Sequence, residues 1–169
     1  MTRLIATILT FALLGAACTT AKDGVPVASA QPPQDVWQLA DQLVREIPLN
    51  AQKFERLLDT SLRPNEQNPV RLEGGAAQLS PNLHISSSVI AIVDGVWSFA
   101  SVNIDPSPCI TEEDVRSHYP AAENTHLPTG HSPKEEFVWS VAYDWGTLNF
   151  GIREKERCLT GISVERAKS

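Results

Sequence analysis

Three histidines in the second half of the chain carry the side chains best suited to chemistry. His118, His126 and His131 fall within 14 residues, close to several carboxylates. Imidazole and carboxylate groups together can bind Zn²⁺ or Cu²⁺. Neither H-E-x-x-H nor a short paired-histidine signature occurs, so the spacing matches no known ligand motif. We therefore predict no metal site, and a metal-dependent hydrolase built on residues 118–131 stays as an alternative.

Other catalytic motifs are missing from the sequence. There is no G-x-S-x-G, no S-x-x-K, no P-loop and no dinucleotide-binding glycine fingerprint. The acidic run Glu112–Asp114 opens a predicted helix, where negative charge is favoured by the helix dipole. Glu135 and Glu136 precede a predicted strand, and both runs are typical of a solvated acidic surface. We predict no catalytic residue and no cofactor.

One tryptophan is a candidate for partner binding. Trp145 stands beside Asp144 at the predicted tip of a hairpin. A tryptophan on a rigid tip can anchor in a partner's pocket, whereas the alternative is that the indole folds back over its own sheet. We predict Trp145 and Asp144 as partner-binding residues, followed by the loop from His126 to His131.

The first 17 residues have the anatomy of a secretory signal peptide. Arg3 gives a short basic start, and residues 4–17 form an apolar run broken only by two threonines. Small residues then precede Cys18. The run is too short for a transmembrane helix, which needs about 20 apolar residues.

Leu14–Cys18 resembles the lipobox of bacterial lipoproteins, in which the cysteine becomes the first residue of the mature chain and carries acyl groups. The resemblance implies lipidation of Cys18 and, because Thr19 rather than aspartate follows, attachment to the outer membrane on its periplasmic side. Cleavage by the ordinary signal peptidase, giving a secreted or soluble periplasmic protein, is the alternative. Residues 18–34 contain prolines and few large apolar side chains, which predicts a flexible tether.

The two remaining cysteines are predicted to form a disulfide. If Cys18 is lipidated, Cys109 and Cys158 form an even pair in an oxidising compartment. The alternatives are two free thiols or a metal site that uses both. A bond between them would close a loop of about 50 residues and stabilise the fold by about 4 kcal/mol.

Charge argues against binding to nucleic acid or to an anionic lipid surface. The chain has a net charge of −6, which becomes −7 when removal of residues 1–17 takes away Arg3. No basic stripe is present to displace counterions from phosphate.

We assign residues 35–166 to a single globular domain. The predicted elements, in chain order, are helices over residues 35–47 and 51–60, a weak strand over 70–79, strands over 85–93 and 96–104, a short helix opened by Thr111, a polar loop over 121–134, and strands over 137–143, 148–152 and 158–164. The fold class is predicted as α+β: an antiparallel sheet of about five to six strands covered by the two N-terminal helices, with one short helix inserted mid-chain.

Two hairpins set the predicted registers. Asp94-Gly95 is a strong two-residue turn signal that pairs Ile92 with Trp97 and Ile90 with Phe99. Apolar residues on both faces place this hairpin in the centre of the sheet. A turn at Trp145-Gly146 would pair Tyr143 with Leu148 and Trp139 with Ile152.

Together these features predict an exported, lipid-anchored envelope protein with a non-catalytic binding role. Its expected partner is a protein or a cell-wall component, and an inhibitor or immunity protein is one concrete form. A structural lipoprotein of an envelope assembly machine is a further alternative.

Overall fold

One antiparallel β-sheet of nine strands is the main secondary structure of the described residues. A computed structural model describes residues 32–105, 107–132 and 134–168. The predicted signal peptide, Cys18 and most of the predicted tether lie outside these residues. The described strands are β1 (Leu62–Pro64), β2 (Arg71–Gly74), β3 (Ala77–Ser80), β4 (Leu83–Val93), β5 (Val96–Ile104), β6 (Glu123–His126), β7 (Glu136–Tyr143), β8 (Gly146–Arg153) and β9 (Leu159–Arg166). The described helices are α1 (Val36–Arg45), α2 (Ala51–Leu58) and α3 (Glu112–His118).

The predicted α+β fold class is wrong, because β-structure dominates. The nine strands follow the order β1-β2-β4-β5-β9-β8-β7-β6, with β3 also paired to β4. Every pair of neighbours is antiparallel. The prediction missed β1 and β6 and merged β2 with β3. β6 lies within the predicted polar loop, and all four of its residues are exposed, so it has no alternation of apolar side chains that would reveal a strand.

Both N-terminal helices are confirmed, and side-chain caps define their starts. The Gln38 backbone N–H donates to Asp35 Oδ1 (2.8 Å), and the Lys53 N–H donates to Asn50 Oδ1 (2.9 Å). Apolar residues on one face of each helix join the sheet in a common core. Among the described residues, no helix combines the length and the apolar character required to cross a membrane.

The β4–β5 hairpin is central, as predicted. Asp94 and Gly95 form its turn with φ of 52° and 76°. Ile92 pairs with Trp97, but a register shift then places Ile90 opposite Ala100 instead of Phe99. The predicted Ile90–Phe99 pair is therefore wrong, because an extra residue on β5 interrupts the ladder.

The β7–β8 hairpin turns one residue earlier than predicted. Asp144 and Trp145 occupy the turn, so Tyr143 pairs with Gly146 and Trp139 with Phe150. The predicted register is displaced by two residues, which keeps every side chain on its predicted face. A Cβ added to Gly146, whose φ is 146°, would lie 1.9 Å from a backbone oxygen of β9. Close approach of this neighbouring strand therefore requires glycine at the turn.

The predicted disulfide is confirmed and connects the segment before α3 to the residue that precedes β9. The Cα atoms of Cys109 and Cys158 are 5.1 Å apart, within the range for disulfides. Next to the bond, the Leu159 N–H donates to the Ile110 carbonyl (2.7 Å). A capping box between Thr111 and Asp114 starts α3, as the sequence predicted.

Candidate binding surface

Six aromatic side chains form two groups of ring contacts, which together we call the aromatic surface. Its members come from α1, from the C-terminal end of α3 and from the β4–β5 and β7–β8 hairpins: Trp37, Trp97, His118, Tyr119, Tyr143 and Trp145. His118 is exposed, Trp97 is buried, and the other four are half-buried. The rings are thus fixed by the core on one side and reach solvent on the other.

The helical half of the aromatic surface is held by stacking and by one part-buried hydrogen bond. Trp37 and His118 stack with centroids 4.6 Å apart and planes 8° from parallel. The Tyr119 hydroxyl donates to Asp41 Oδ1 (2.7 Å), which links α3 to α1. Burial, reinforced by this hydrogen bond and the Asp41 charge, raises the pKa of Tyr119 far above its ordinary value. The phenol therefore stays a neutral donor across the physiological pH range.

Trp145 anchors the hairpin half. Its indole stacks on Tyr143 with centroids 5.1 Å apart and planes 11° from parallel, and it meets Trp97 at 6.0 Å in a tilted arrangement. The Ala167 N–H donates to the Trp145 carbonyl (2.9 Å), so the chain after β9 also holds the turn. The indole folds back over its own sheet, the alternative considered from the sequence, yet it keeps a solvent-accessible part. Asp144, next to it, is exposed.

Asp41 joins the two halves electrostatically. Burial raises the pKa of Tyr143, and the negative charge of Asp41 adds to the rise. The same carboxylate accepts the Tyr119 hydrogen bond. A single half-buried carboxylate thus acts on the tyrosine that follows α3 and on the tyrosine that ends β7, giving the aromatic surface one negatively charged acceptor.

Arginines cover the aromatic residues farther along the same face of β7. The Arg116 guanidinium lies 5.4 Å from the Trp139 ring centroid, and that of Arg157 lies 4.5 Å from the Phe137 centroid. Arg157 is also fixed by Glu112 at 2.9 Å. The aromatic face of β7 therefore changes from arginine-covered rings to rings stacked on one another as the strand approaches the Asp144–Trp145 turn.

The predicted histidine loop lies at the other end of the sheet. His126 pairs with Val138, seven residues before Trp145, which corresponds to about 23 Å along an extended strand. His131 lies in the exposed loop between β6 and β7. The structure thus places Trp145 and Asp144 together and does not bring His126 or His131 to them.

A carboxylate organises this distant loop. Glu135 accepts hydrogen bonds from the backbone N–H groups of Thr129, Gly130 (2.9 Å) and His131 (3.0 Å). Desolvation raises the pKa of Glu135, but these hydrogen bonds outweigh it and leave the pKa below its ordinary value. The His131 backbone is therefore part of an internal anion-binding loop.

The three histidines considered as metal ligands from the sequence each have different contacts in the structure. His118 stacks on Trp37, His126 belongs to the edge strand β6, and His131 Nδ1 lies 2.8 Å from Thr129 Oγ1. Within residues 32–105, 107–132 and 134–168, no three histidine, cysteine or acidic side chains are placed to hold a metal ion together.

Of the six rings in the aromatic surface, sequence reasoning selected only Trp145 for partner binding. Trp37 and Asp41 are four residues apart on α1, so they share a helix face, which is a usable signal. Tyr119 meets Asp41 across 78 residues of sequence, and no local pattern reveals such a contact. Comparisons with protein families, with curated proteins and with solved structures find no match for this chain.

Proposed function

We propose that this chain is an exported envelope protein, anchored through a lipid on Cys18, that binds a protein partner through the aromatic surface without catalysing a reaction. An inhibitor or immunity protein that blocks a toxic or hydrolytic enzyme is the concrete form of this role. The observation that carries the proposal is the pair of aromatic groups beside Asp41, in which four of the six rings are half-buried. The signal peptide and the lipobox-like Leu14–Cys18 support the location.

The composition of the aromatic surface fits a binding role. Binding energy at protein interfaces is concentrated in a few tryptophan, tyrosine and arginine residues. Trp37, Tyr119, Tyr143 and Trp145 are partly exposed, so each keeps apolar area that a partner can bury. Asp41 supplies one polar acceptor among them, which suits a partner that presents a donor group.

The rings are also held in place before binding. Stacking of Trp145 on Tyr143 and of Trp37 on His118 restricts their side-chain rotations in the free protein. Binding to rings that are already ordered costs less conformational entropy than binding to rings that become ordered only in the complex. This arrangement supports a surface of fixed shape rather than a single projecting tryptophan.

The mechanism we propose is occlusion. Asp144 and Trp145 form a turn at the end of the sheet where the Asp94-Gly95 turn also lies. A partner's cleft can accept this end of the domain, with Trp145 packed inside and Asp144 at the rim. Substrate would then be excluded without any chemical step.

Site-specific crosslinking tests the surface directly. A photoreactive residue placed at position 145 in the full chain, expressed in its native host, should capture one defined envelope protein. The same residue at position 127 is the matched control, because Leu127 is 65% exposed and follows β6 at the other end of the sheet. Identical products from both positions would contradict the proposal.

Affinity for the captured protein then gives the energetic test. Trp145→Ala should weaken binding about 30-fold or more, the range of an interface hot spot, whereas Leu127→Ala should leave binding unchanged. Asp144→Lys changes an exposed charge without touching the stacked rings and should mainly slow association. Full affinity of both Trp145→Ala and Asp144→Lys would rule out this surface.

Location is tested separately. Mass spectrometry of the protein from its native host should show a mature chain that begins at acylated Cys18. An unprocessed Met1 terminus would refute export without bearing on the aromatic surface.

A further inference from the structure

A cavity lined mainly by polar residues lies on the sheet away from the aromatic surface. It has a volume of about 300 Å³, at the lower end of the range for small-molecule sites. Strands β2, β4 and β5 line it through Arg71, Glu73, Gly74, Ser87, Ser88, Val89 and Asn103.

Alternation along the strands places this cavity on the face opposite the core. Ser88 is 4% exposed and pairs with the fully buried Val102, so its side chain belongs to the core face. Ser87 and Val89, on either side of it, therefore point to the other face. Glu73 pairs with Val89 and Asn103 with Ser87, so their side chains share that outer face.

The polar groups of the cavity leave defined hydrogen-bonding capacity. Asn103 Nδ2 donates to Ser87 Oγ (2.8 Å), which leaves the Ser87 hydroxyl hydrogen free to donate to a ligand. Asn65 Nδ2 donates to Glu73 Oε1 (2.7 Å) and engages one oxygen of that carboxylate. Across the described residues, the ion pairs found join Lys53 to Glu46, Arg153 to Glu136 and Arg157 to Glu112, and Arg71 takes part in none of them.

From this arrangement we propose that the cavity binds a small monocarboxylate, namely an amino acid derivative or short peptide with a free C-terminal carboxylate. The Arg71 guanidinium and the Ser87 hydroxyl are the donors, and a guanidinium matches a carboxylate with two parallel hydrogen bonds. Val89 offers an apolar contact for a small side chain such as a methyl group. Glu73 lies two residues from Arg71 on the same face, so its negative charge opposes the bound carboxylate as well as any second one, which limits the ligand to a single carboxylate and keeps the affinity low.

The site is independent of the aromatic surface. Its donors lie on the outer face, whereas Tyr143 and Trp97 contact the core. Loss of partner binding in Trp145→Ala therefore predicts nothing about this cavity, and the two proposals can fail separately.

The test is a titration of the full ¹⁵N-labelled chain, followed by NMR. Alanyl-alanine and N-acetylalanine are the probes, and alaninamide, which lacks a carboxylate, is the control ligand. We expect millimolar affinity for both probes, with shifts at the amides of Ser87, Ser88 and Val89, and no saturable shift with alaninamide.

Two arginine variants complete the test. Arg71→Gln should weaken probe binding about 10- to 100-fold, as for loss of a charged hydrogen bond. Arg63→Gln is the matched control. Arg63 is an exposed residue of β1 that lies opposite Glu73 of β2, but it does not line the cavity. The proposal is overturned if alaninamide binds as well as N-acetylalanine, if neither probe binds at about 20 mM, or if Arg71→Gln binds like the wild type.

Discussion

Removal of the Cys109–Cys158 disulfide should cost this domain a large part of its stability. The bond joins residues 49 apart in sequence, and the chain-entropy model gives about 4 kcal/mol for a loop of this length. For a domain of this size each kcal/mol corresponds to about 3–4 °C in melting temperature, so replacement of both cysteines by serine should lower Tm by about 12–16 °C. The loss comes from the unfolded state, which gains freedom when the crosslink is absent.

Removal of the disulfide should also loosen the helical half of the aromatic surface. The disulfide and the hydrogen bond from Leu159 to Ile110 attach the start of α3 to the sheet, and α3 carries His118 and leads to Tyr119. With the disulfide removed, we expect faster amide exchange in α3 than in the β7–β8 hairpin.

Thermal unfolding followed by circular dichroism measures the effect, with the single variants Cys109→Ser and Cys158→Ser beside the double. Each variant removes the same bond, so the three losses should be nearly equal rather than additive. Cys158 is only 8% exposed, whereas Cys109 is exposed, so Cys158→Ser should cost about 1 kcal/mol more for the buried hydroxyl. A Tm decrease below about 3 °C in all three variants would refute the entropic estimate, and a double-variant loss equal to the sum of the singles would show that the cysteines act separately.

Two further predictions concern close backbone approach and tyrosine ionisation. Gly146→Ala should destabilise the protein by about 2–4 kcal/mol, because the new Cβ would lie 1.9 Å from the Glu165 carbonyl oxygen. Gly75→Ala is the control and should be nearly neutral, since a Cβ at this position has open space around it. Equal denaturation midpoints for the two variants would contradict this prediction. Because burial and Asp41 raise the pKa of Tyr119 above its ordinary value of 10.0, the stability it contributes is complete below pH 10 and declines as the pH rises further. Tyr119→Phe should weaken that decline and cost about 1 kcal/mol at neutral pH, and an unchanged profile in alkaline unfolding experiments would rule out the tyrosine as its source.

Local sequence was a sufficient guide wherever the structure depends on neighbouring residues. The two N-terminal helices form where predicted, with caps at Asp35 and Asn50, and Asp94-Gly95 turns as predicted, because each signal acts within three residues. The pairing register of the two strands beyond each turn was harder to predict from the sequence. The bulge in β5 and the one-residue earlier turn at Asp144 depend on contacts between strands, which alternation alone does not specify.

The candidate site divides in the same way. Trp145 and Asp144 were selected from their place in a hairpin turn, and the structure keeps them together. The loop from His126 to His131 was the next candidate for partner binding, and the length of β7 separates it in space from Trp145. Their role in partner binding stays a prediction.

By itself, the sequence determined the two N-terminal helices, both hairpins and the disulfide partners, because helix caps, turn residues and cysteine number are local or compositional properties. Tertiary structure alone decided that short segments such as β1 and β6 extend one sheet to nine strands, because edge strands form through backbone pairing that leaves little apolar pattern. It also decided that Asp41 meets Tyr119 and that Arg71 shares a cavity with Ser87, since these contacts arise only when distant segments pack or pair.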